Sequence, residues 1–377
     1  MDKKVNPRVI AFYLPQFHPF KENDEWWGKG FTEWTNVGKA KSLFKGHDQP
    51  RVPTELGYYD LRMPEIREAQ AEMAREAGVE GFMYWHYWFG NGKTLLANIF
   101  KEVLESGRPD FPFCLGWANH SWFAKLWNGN EAVCNKLLME QTYPGEEDAR
   151  MYFQTLLPAF KDHRYIKVNG KPLFYVFSPE DLPEDYIKWF EEWAKEAGLP
   201  GLYWVANIQR EYIDKHVYLN KGYNAVSYRK GMAGIYKSGF VSDKRWVRGV
   251  MKGWQLIKGK LRHRPPFMAD YRRAMNDYLT DMERENDVIP TIVPQWDHTP
   301  RSGWNGTLLV NSKPEYFKEV MEKAIEIVSD KPEQEQIIFL KSWNEWGEGN
   351  YMEPDLTHGR GYVEALREAI DECKSKK

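Results

Sequence analysis

Short, continuously apolar segments recur along the chain, and amphipathic segments separate most of them. Uninterrupted apolar runs are typical of parallel strands that are buried on both faces. We predict eight strands at residues 8–13, 79–85, 112–117, 172–177, 201–206, 223–227, 289–294 and 336–342. The clearest helical periodicity lies at 64–77, 183–197 and 314–328, and a last helix is expected near 361–373. This order predicts an α/β fold, the (β/α)8 TIM barrel, as a single domain over residues 1–377.

The weakest part of this prediction is the link between the fifth and sixth strands, because the helix near 209–217 is short. An open, doubly wound sheet is the alternative, but no GxGxxG sequence follows the first strand. In a TIM barrel the chemistry lies on loops that follow the C-terminal ends of the strands. Long loops of this kind are expected at 14–62, 86–93, 118–146, 228–267 and 295–313.

Aromatic residues make up 15% of the chain, and they include 17 Trp. Thirteen Trp residues fall at predicted strand ends or on the long loops: Trp26, Trp27, Trp34, Trp85, Trp88, Trp117, Trp122, Trp127, Trp204, Trp296, Trp304, Trp343 and Trp346. Aromatic side chains around one mouth suit a sugar, because the apolar face of a sugar ring stacks on an aromatic face. The alternative is that these side chains only pack long loops onto the barrel. Trp189 and Trp193, four residues apart on a predicted helix, indicate core packing.

Composition and charge exclude several classes of protein. The net charge of −2, with 42% apolar and 28% charged residues, argues against disorder and against a general nucleic-acid binder. Three cysteines do not make a disulfide framework. No apolar run approaches the ~20 residues of a membrane span, and residues 1–18 lack the pattern of a signal peptide. We therefore expect a cytoplasmic protein, with association at the inner membrane surface as a further expectation.

Residues 342–349, SWNEWGEG, carry the strongest chemical signal in the chain. Glu345 and Glu348 would face opposite sides of a regular strand. Gly347 and Gly349 allow the chain to bend, and a bend brings both carboxyl groups to one cavity. A carboxylate pair in an aromatic pocket is suited to glycosidic bonds, because one group donates a proton while the other stays ionised. We predict catalytic roles for both acids, since their Trp, Asn and Gly neighbours argue against a solvated helix face.

Four longer strings carry a family resemblance. They are AFYLPQFHPFKENDEWWGKGFTEWTNV at 11–37, FMYWHYWF at 82–89, LGWANHSW at 115–122 and SWNEWGEGNYMEP at 342–354. On these strings the chain, from residue 8 to about residue 365, resembles the WbsX-like family. That family is related to glycoside hydrolase family 99, the endo-α-mannosidase group.

The resemblance implies a (β/α)8 barrel and a retaining mechanism with no metal or other cofactor. In family 99 two acids in a matching E-W-x-E-G string do the work. Carried over by position, Glu345 assists the sugar 2-hydroxyl as a base, and that hydroxyl attacks the anomeric carbon to give a 1,2-anhydro sugar. Glu348 protonates the departing oxygen and later activates water or another acceptor. The family's hydrolases carry another residue in place of Gly347, which leaves pocket shape and acceptor open.

The same resemblance leaves three functions to compare. The first is a carbohydrate-active enzyme that acts on α-glycosidic, mannoside-like bonds with retention. The second is a glycosyltransferase of lipopolysaccharide or O-antigen polysaccharide biosynthesis, which is how WbsX-like members are commonly described. The third is a glycan-binding barrel without turnover. Each has an oligosaccharide or polysaccharide as its partner, and no nucleic acid is expected.

Polar and aromatic side chains at the predicted strand ends are candidates for contact with sugar hydroxyls. The predicted substrate-binding residues are Tyr13, Gln16, His18, Trp85, His86, Tyr87, Trp117, Asn119, His120, Asn207, Gln295, Trp296, Asp297, Trp343, Asn344 and Trp346. The alternative for each is a hydrogen bond that anchors a loop. A binuclear metal site from His86, His120, Asp297 and His298 is conceivable, but no HxH or HExxH spacing supports it, and no metal is expected.

Residues 228–268 form a basic insertion with 11 Lys or Arg and one acid, Asp243. Its bases are interspersed with apolar residues such as Trp246, Val250 and Trp254. A basic amphipathic segment suits an anionic membrane surface, or it suits a sugar diphosphate, a lipid-linked phosphate or an anionic polysaccharide. A solvated basic insertion is the alternative.

Overall fold

The computed structural model describes residues 6–126, 134–209, 213–228, 250, 253–254, 256–257, 259–261, 263–276 and 278–375. Trp127 and most bases of the predicted insertion lie outside these residues.

Eight parallel strands form the core of the fold. They are β1 (Arg8–Tyr13), β2 (Gly81–Trp88), β3 (Phe113–Trp117), β4 (Lys171–Val176), β5 (Tyr203–Ile208), β6 (Ala225–Tyr228), β7 (Thr291–Ile292) and β8 (Ile337–Leu340). Strands β1 to β6 pair in chain order, and β8 pairs with both β7 and β1. Val226 bridges the remaining gap, because its N–H donates to Asp287 O at 2.8 Å and its carbonyl accepts from Ile289 N at 2.8 Å. The predicted (β/α)8 barrel is confirmed.

Helices cover the outside of this barrel or lie on its loops. They are Lys21–Trp27, Glu33–Lys39, Pro64–Ala77, Ala97–Ser106, Glu146–Lys161, Glu184–Glu196, His216–Leu219, Tyr271–Asn276, Thr299–Ser302, Pro314–Ser329 and Gly361–Ser375. The four helices predicted at 64–77, 183–197, 314–328 and 361–373 are observed within two residues of their expected ends. Among the described residues between β5 and β6, the structure has the helix His216–Leu219, which is four residues long, as the weak link between these strands predicted.

Short strand pairs decorate the loops at the C-terminal end of the barrel. The antiparallel pairs are Thr94–Leu95 with β2, Trp122–Leu126 with Cys134–Met139, and Asn344–Glu345 with Asn350–Tyr351. Phe267–Asp270 pairs in parallel with Thr307–Val310. At the opposite end, Lys167–Val168 pairs with β4.

Aromatic side chains fill the inside of the barrel. The rings of Phe12, Tyr175 and Phe339 meet with centroids 5.3 to 5.5 Å apart. Trp85 packs on the same cluster from above, 5.3 Å from Phe12. Packed aromatic side chains therefore fill this level of the barrel interior. Within the described residues, no helix is both long and apolar enough to cross a bilayer.

Candidate active site

Glu345 and Glu348 lie on a tight turn directly after β8. A 3-10 turn over Trp346–Glu348 reverses the chain between two short antiparallel strands. Gly349 ends the turn with φ at 54°, in the left-handed region that glycine adopts freely. The chain thus bends at Gly347 and Gly349, as the sequence predicted. Both carboxylates border the same cavity.

The guanidinium of Arg301 joins the two carboxylates. Its Nη2 donates to Glu345 Oε1 and its Nη1 donates to Glu348 Oε1, each at 2.7 Å. Arg301 comes from the short helix Thr299–Ser302 in the loop after β7. Because one planar group contacts both carboxylates, they converge on a common region rather than diverging.

Glu33 holds Arg301 from the loop after β1. Arg301 Nε donates to Glu33 Oε2 at 3.1 Å, and the Glu33 side chain is only 8% exposed. Glu33 is the first residue of its helix, whose N-cap Thr32 forms a capping box. A Cβ atom at Gly347 would overlap the Glu33 carboxylate and lie 2.9 Å from Arg301 Nε. The missing side chain at Gly347 therefore lets this ion pair approach the backbone between the two acids.

Burial and neighbouring charges set the protonation of this cluster. Burial raises the pKa of Glu345 to about 7, with Arg301 opposing the rise and Glu348 adding to it. Burial alone would lower the pKa of Arg301, but the three carboxylates raise it well above its usual value. Arg301 is therefore a permanent cation, and Glu345 populates both protonation states near neutral pH.

A cavity of about 1680 Å³ opens at the C-terminal end of the barrel. The end of β2 and the loops after β1, β3, β4, β7 and β8 line it, and they contribute the aromatic side chains Trp27, Phe31, Trp85, Tyr87, Trp122, Phe123, Phe177 and Trp304. This volume exceeds the roughly 300–1,000 Å³ of most small-molecule pockets. The cavity has room for an oligosaccharide, and its lining contains both aromatic side chains and carboxylates.

Six of the predicted site residues line this cavity: Gln16, Trp85, Tyr87, His120, Glu345 and Glu348.

Of the Trp residues predicted around the mouth of the barrel, some line the cavity and others do not. Trp27, Trp85, Trp122 and Trp304 line the cavity. Trp26 packs behind Trp122 with centroids 5.9 Å apart. Seven others lie within the hydrophobic core or pack against it: Trp34, Trp88, Trp117, Trp204, Trp296, Trp343 and Trp346.

His86 is a correction to the predicted site. Trp85 and Tyr87 line the cavity, so the residue between them points to the opposite face of the strand. The ring of His86 stacks on Tyr152, in the helix Glu146–Lys161, with centroids 5.5 Å apart. Burial there lowers the pKa of His86 to about 4, so it is a neutral residue of the layer between strands and helices.

Tyr13 and Trp117 are corrected for the same reason. The hydroxyl of Tyr13 donates to Gln70, in the helix Pro64–Ala77, at 2.7 Å. Trp117 is 1% exposed and packs edge-on against Tyr152 with centroids 4.7 Å apart. Both rings therefore stabilise contacts between the barrel and its helices, where a sugar has no access.

The three predicted Asn ligands anchor loops instead. Asn119 accepts from Ser178 N and donates to Ser178 O, each at 2.8 Å. Asn344 bonds Leu14 in the same two-way manner, at 2.7 and 3.1 Å. Asn207 donates to a backbone carbonyl of the loop after β4 at 2.8 Å. The loop-anchoring alternative holds for these residues.

Gln295 and Trp296 also support the site from behind. Gln295 is fully buried and donates to Tyr351 O at 3.0 Å. Trp296 is 4% exposed, and its indole N–H donates to Thr307 Oγ1 at 3.1 Å. The prediction that both bind sugar is corrected, because their polar atoms are occupied by the fold.

Asp297 is the centre of a buried network that joins two loops. Its Oδ2 accepts from Gln49 Nε2 and contacts His47 Nε2, each at 2.8 Å. Its Oδ1 accepts from Thr299 N at 2.9 Å. Because His47 Nδ1 accepts from Leu43 N at 3.0 Å, Nε2 carries the proton that it donates to Asp297. Asp297 thus fixes the Arg301 loop rather than facing the cavity, which corrects its predicted role.

Trp343, Trp346 and His18 are the remaining corrections. Trp343 is completely buried in the core, and His18 is 4% exposed. Trp346 stacks on Tyr351 with centroids 3.7 Å apart, and its indole N–H donates to Glu353 Oε2 at 2.6 Å. The two indoles flanking Glu345 in sequence therefore hold its backbone in place and do not border the cavity.

Sequence reasoning missed Arg301, Glu33 and Lys341, all of which line the cavity. Glu33 lies inside the string GFTEW at 30–34, and an acid among aromatic residues is a usable signal. Arg301 lies in a polar loop without a motif. Lys341 follows β8 and lies over the ring of Trp296, 4.8 Å from its centroid.

A metal centre has no support in the part of the chain that the structure describes. No group of three or more His, Cys, Asp or Glu side chains there is arranged to hold an ion. His86 and Asp297, two of the four conceivable ligands, are engaged as described above.

Comparison with known proteins places this chain in a family. The family model described as Glycosyltransferase WbsX matches residues 9–366. The curated protein named Uncharacterized protein WxcX, from two strains of Xanthomonas campestris pv. campestris, is 31% identical over 367 and 369 residues. These alignments cover 96% of this chain and 49% of each relative, so the chain spans about half their length.

Solved structures share the barrel. A family 99 endo-α-mannosidase from Bacteroides thetaiotaomicron superposes with a TM-score of 0.54 at 17% identity, over 98% of this chain and 97% of that one. A glycoside hydrolase-like protein gives a TM-score of 0.58 at 13% identity, over 98% and 95%. Identities this low establish the fold alone. The match to the family model over residues 9–366 shows that the chain belongs to the glycosyltransferase WbsX family.

Proposed function

We propose that this protein acts on α-glycosidic, mannoside-like bonds with retention of configuration, using Glu345 and Glu348. The observation that carries the proposal is the convergence of these two carboxylates on one guanidinium, on the wall of a large aromatic cavity. A carboxylate pair of this kind suits the protonation and deprotonation steps of glycosidic chemistry.

In the proposed reaction the two acids have different roles. Glu345 removes the proton of the sugar 2-hydroxyl, whose oxygen attacks the anomeric carbon to form a 1,2-anhydro sugar. Glu348 gives its proton to the departing glycosidic oxygen. In the second half Glu348 takes a proton from water or another acceptor, which opens the anhydro ring, and Glu345 returns its proton to the 2-oxygen. A base works best when its pKa lies near the working pH, and the pKa of Glu345 near 7 supports this assignment.

Product analysis tests the proposal. The protein is incubated with α-mannosyl oligosaccharides, and the first-formed product is followed by proton NMR. We expect cleavage that gives the α anomer before mutarotation. A β product would contradict retention. Absence of any product from a panel of α-linked glycans, with glycan binding still detected by calorimetry, would favour the glycan-binding barrel.

The second candidate is a glycosyltransferase of lipopolysaccharide or O-antigen assembly that uses the same two acids. The description of the matched family supports it. In this reaction the acceptor is a sugar hydroxyl instead of water. Product that forms only when a nucleotide sugar is supplied would favour this candidate over hydrolysis.

An exposed apolar row favours an anionic membrane surface as the place of action. Val250, Trp254, Ile257 and Leu261 are 59 to 78% exposed, and the described residues from 250 to 261 are helical. Their spacing of four, three and four residues puts them on one helix face. The sequence around them is strongly basic, which complements anionic lipid. We propose that the protein works at the inner membrane surface on a lipid-linked saccharide.

Vesicle sedimentation tests the membrane proposal. We expect the protein to sediment with vesicles that contain phosphatidylglycerol and much less with pure phosphatidylcholine. Leu261→Ser should weaken this binding about tenfold, because it removes one inserted apolar side chain. Leu356→Ser changes an equally exposed leucine outside this segment and should have no effect. Equal sedimentation of all three proteins, or none, would contradict the proposal.

A further inference from the structure

The ion pair of Glu33 and Arg301 is not used by the chemistry proposed above, although it lies between the two acids. Three separate loops build this cluster: Glu33 follows β1, Arg301 follows β7, and Glu345 and Glu348 follow β8. The Arg301 side chain is 23% exposed, and its Nε, Nη1 and Nη2 all donate to carboxylates. An arginine bound in this way has no freedom to follow a substrate; its position is set by the protein.

The shape of the guanidinium matters as much as its charge. A guanidinium presents its N–H groups in a rigid, planar fork, whereas an ammonium is a compact point charge on a flexible stem. Two fork positions of Arg301 reach Glu345 and Glu348 with equal distances of 2.7 Å. The separation of the two accepting oxygens is therefore fixed by one rigid group. Lysine at this position would keep the charge and lose that constraint.

Glu33 and Gly347 keep the fork in place. Glu33 is buried and begins a capped helix, so its carboxylate is a stable anchor for Arg301 Nε. Gly347 provides the space, since a Cβ there would overlap the anchor. Gly347, the residue that distinguishes the string EWGEG in this chain, thus provides the space for an ion pair whose two members come from two other loops.

We propose that Arg301, anchored by Glu33 and admitted by Gly347, is a positioning residue that fixes the relative placement of Glu345 and Glu348. This inference rests on the proposed function in one respect, namely that the two acids carry out the reaction. The other titratable groups near the cluster are His298, 3.7 Å from Glu348, with Lys341 and Tyr87 near Glu345.

The first experiment is independent of turnover. Protein labelled with ¹³C at the Glu side-chain carboxyl is titrated by NMR, and the Glu345 signal is assigned with Glu345→Gln. In the wild type we expect a midpoint near pH 7. In Arg301→Gln the midpoint should rise, because an opposing positive charge is lost. An unchanged Glu345 midpoint in Arg301→Gln would overturn the inference.

The second experiment separates positioning from charge in the active enzyme. We expect Arg301→Lys to lower kcat by about 100-fold with little change in KM, because the reacting groups lose their alignment. Glu33→Gln and Gly347→Ala should each lower kcat about tenfold. The double variant Glu33→Gln/Arg301→Lys should be no slower than Arg301→Lys, since all act through one cluster. In Arg301→Gln the acid limb of the pH profile should move upward.

Arg272→Lys is the matched control, because Arg272 forms a similar forked pair with Glu319 on the surface. Melting temperatures within a few degrees of wild type confirm that each variant is folded. Full kcat in Arg301→Lys, or strictly additive losses in the double variant, would overturn the inference. A wild type without turnover would instead refute the proposed function, and the NMR titration would still decide the role of Arg301.

Discussion

Replacing either Glu345 or Glu348 with Gln is expected to lower kcat by about 1,000-fold, because each change removes one proton-transfer group. Glycan binding should stay within about threefold of wild type, since Gln keeps the size and one oxygen acceptor for Arg301. The two variants should differ with an activated substrate. A good leaving group needs no protonation, so an α-mannosyl fluoride should largely restore the first step in Glu348→Gln and leave Glu345→Gln inactive.

Glu319→Gln, an exposed acid in a surface ion pair, is the control and should retain full activity. Steady-state kinetics measure the loss of kcat, and calorimetry measures the affinity for the glycan. If either acid variant kept the wild-type rate on a natural glycan, the two-carboxylate mechanism would be refuted. If both lost binding along with turnover, their main role would be in holding the substrate.

Replacing Asp297 with Ala is expected to destabilise the protein by about 3 kcal/mol, because it leaves several buried donors unpaired. The carboxylate is 2% exposed and contacts His47, Gln49 and Thr299 N. Loss of this network also frees the loop that carries Arg301. We therefore expect reduced activity in whatever protein remains folded, with denaturant unfolding as the measurement.

The contribution of Asp297 should depend on pH. Burial alone would raise the pKa of Asp297, but the His47 hydrogen bond, the Arg51 charge and the Gln49 hydrogen bond together hold it below the usual value. A lowered folded-state pKa means that this stability is present above the ordinary carboxyl pKa of about 4 and is lost as pH falls through the lower folded value. The difference in the free energy of unfolding between wild type and Asp297→Ala should thus become smaller only in strong acid. Asp281 is fully exposed, so Asp281→Ala should have the same free energy of unfolding as wild type at every pH.

The barrel could be predicted because buried parallel strands leave a plain apolar signature. All eight predicted strands are present, although β7 is reduced to Thr291–Ile292. The helices that the sequence did not predict have physical causes for their weak signal. Glu146–Lys161 contains Pro158, and Ala97–Ser106 begins after Leu96 at a positive φ without a capping side chain.

Three of the errors in the site, at Tyr13, His86 and Trp117, came from ignoring the two-residue period of a strand. At the end of β2, Trp85 and Tyr87 face the cavity while His86 faces the helices. At the end of β1, Phe12 points into the barrel and Tyr13 points out. Side chains of a strand alternate between its two faces. Once one inward residue on each strand is known, this alternation separates residues that face the barrel interior from residues that face the helices.

The remaining site residues could not be predicted, because their meaning depends on contacts between distant loops. Glu33 and Arg301 are 268 positions apart, and each alone is an ordinary loop charge. Likewise, the polar groups of Asn119 and Asn344 look suited to sugar hydroxyls until the fold shows that backbone atoms already use them. The sequence motif pointed to Glu345 and Glu348 but gave no signal for Arg301, the cation between them.

Closure of the barrel has a consequence during protein synthesis. Strand β1 emerges from the ribosome before the other barrel strands, yet its partner β8 and the two acids emerge more than 320 residues later. Glu33 is likewise synthesised about 310 residues before Gly347. A nascent chain therefore carries no assembled centre until β8 and the turn that follows it have been synthesised, and the exposed edge of β1 is the surface that chaperones would have to shield until then.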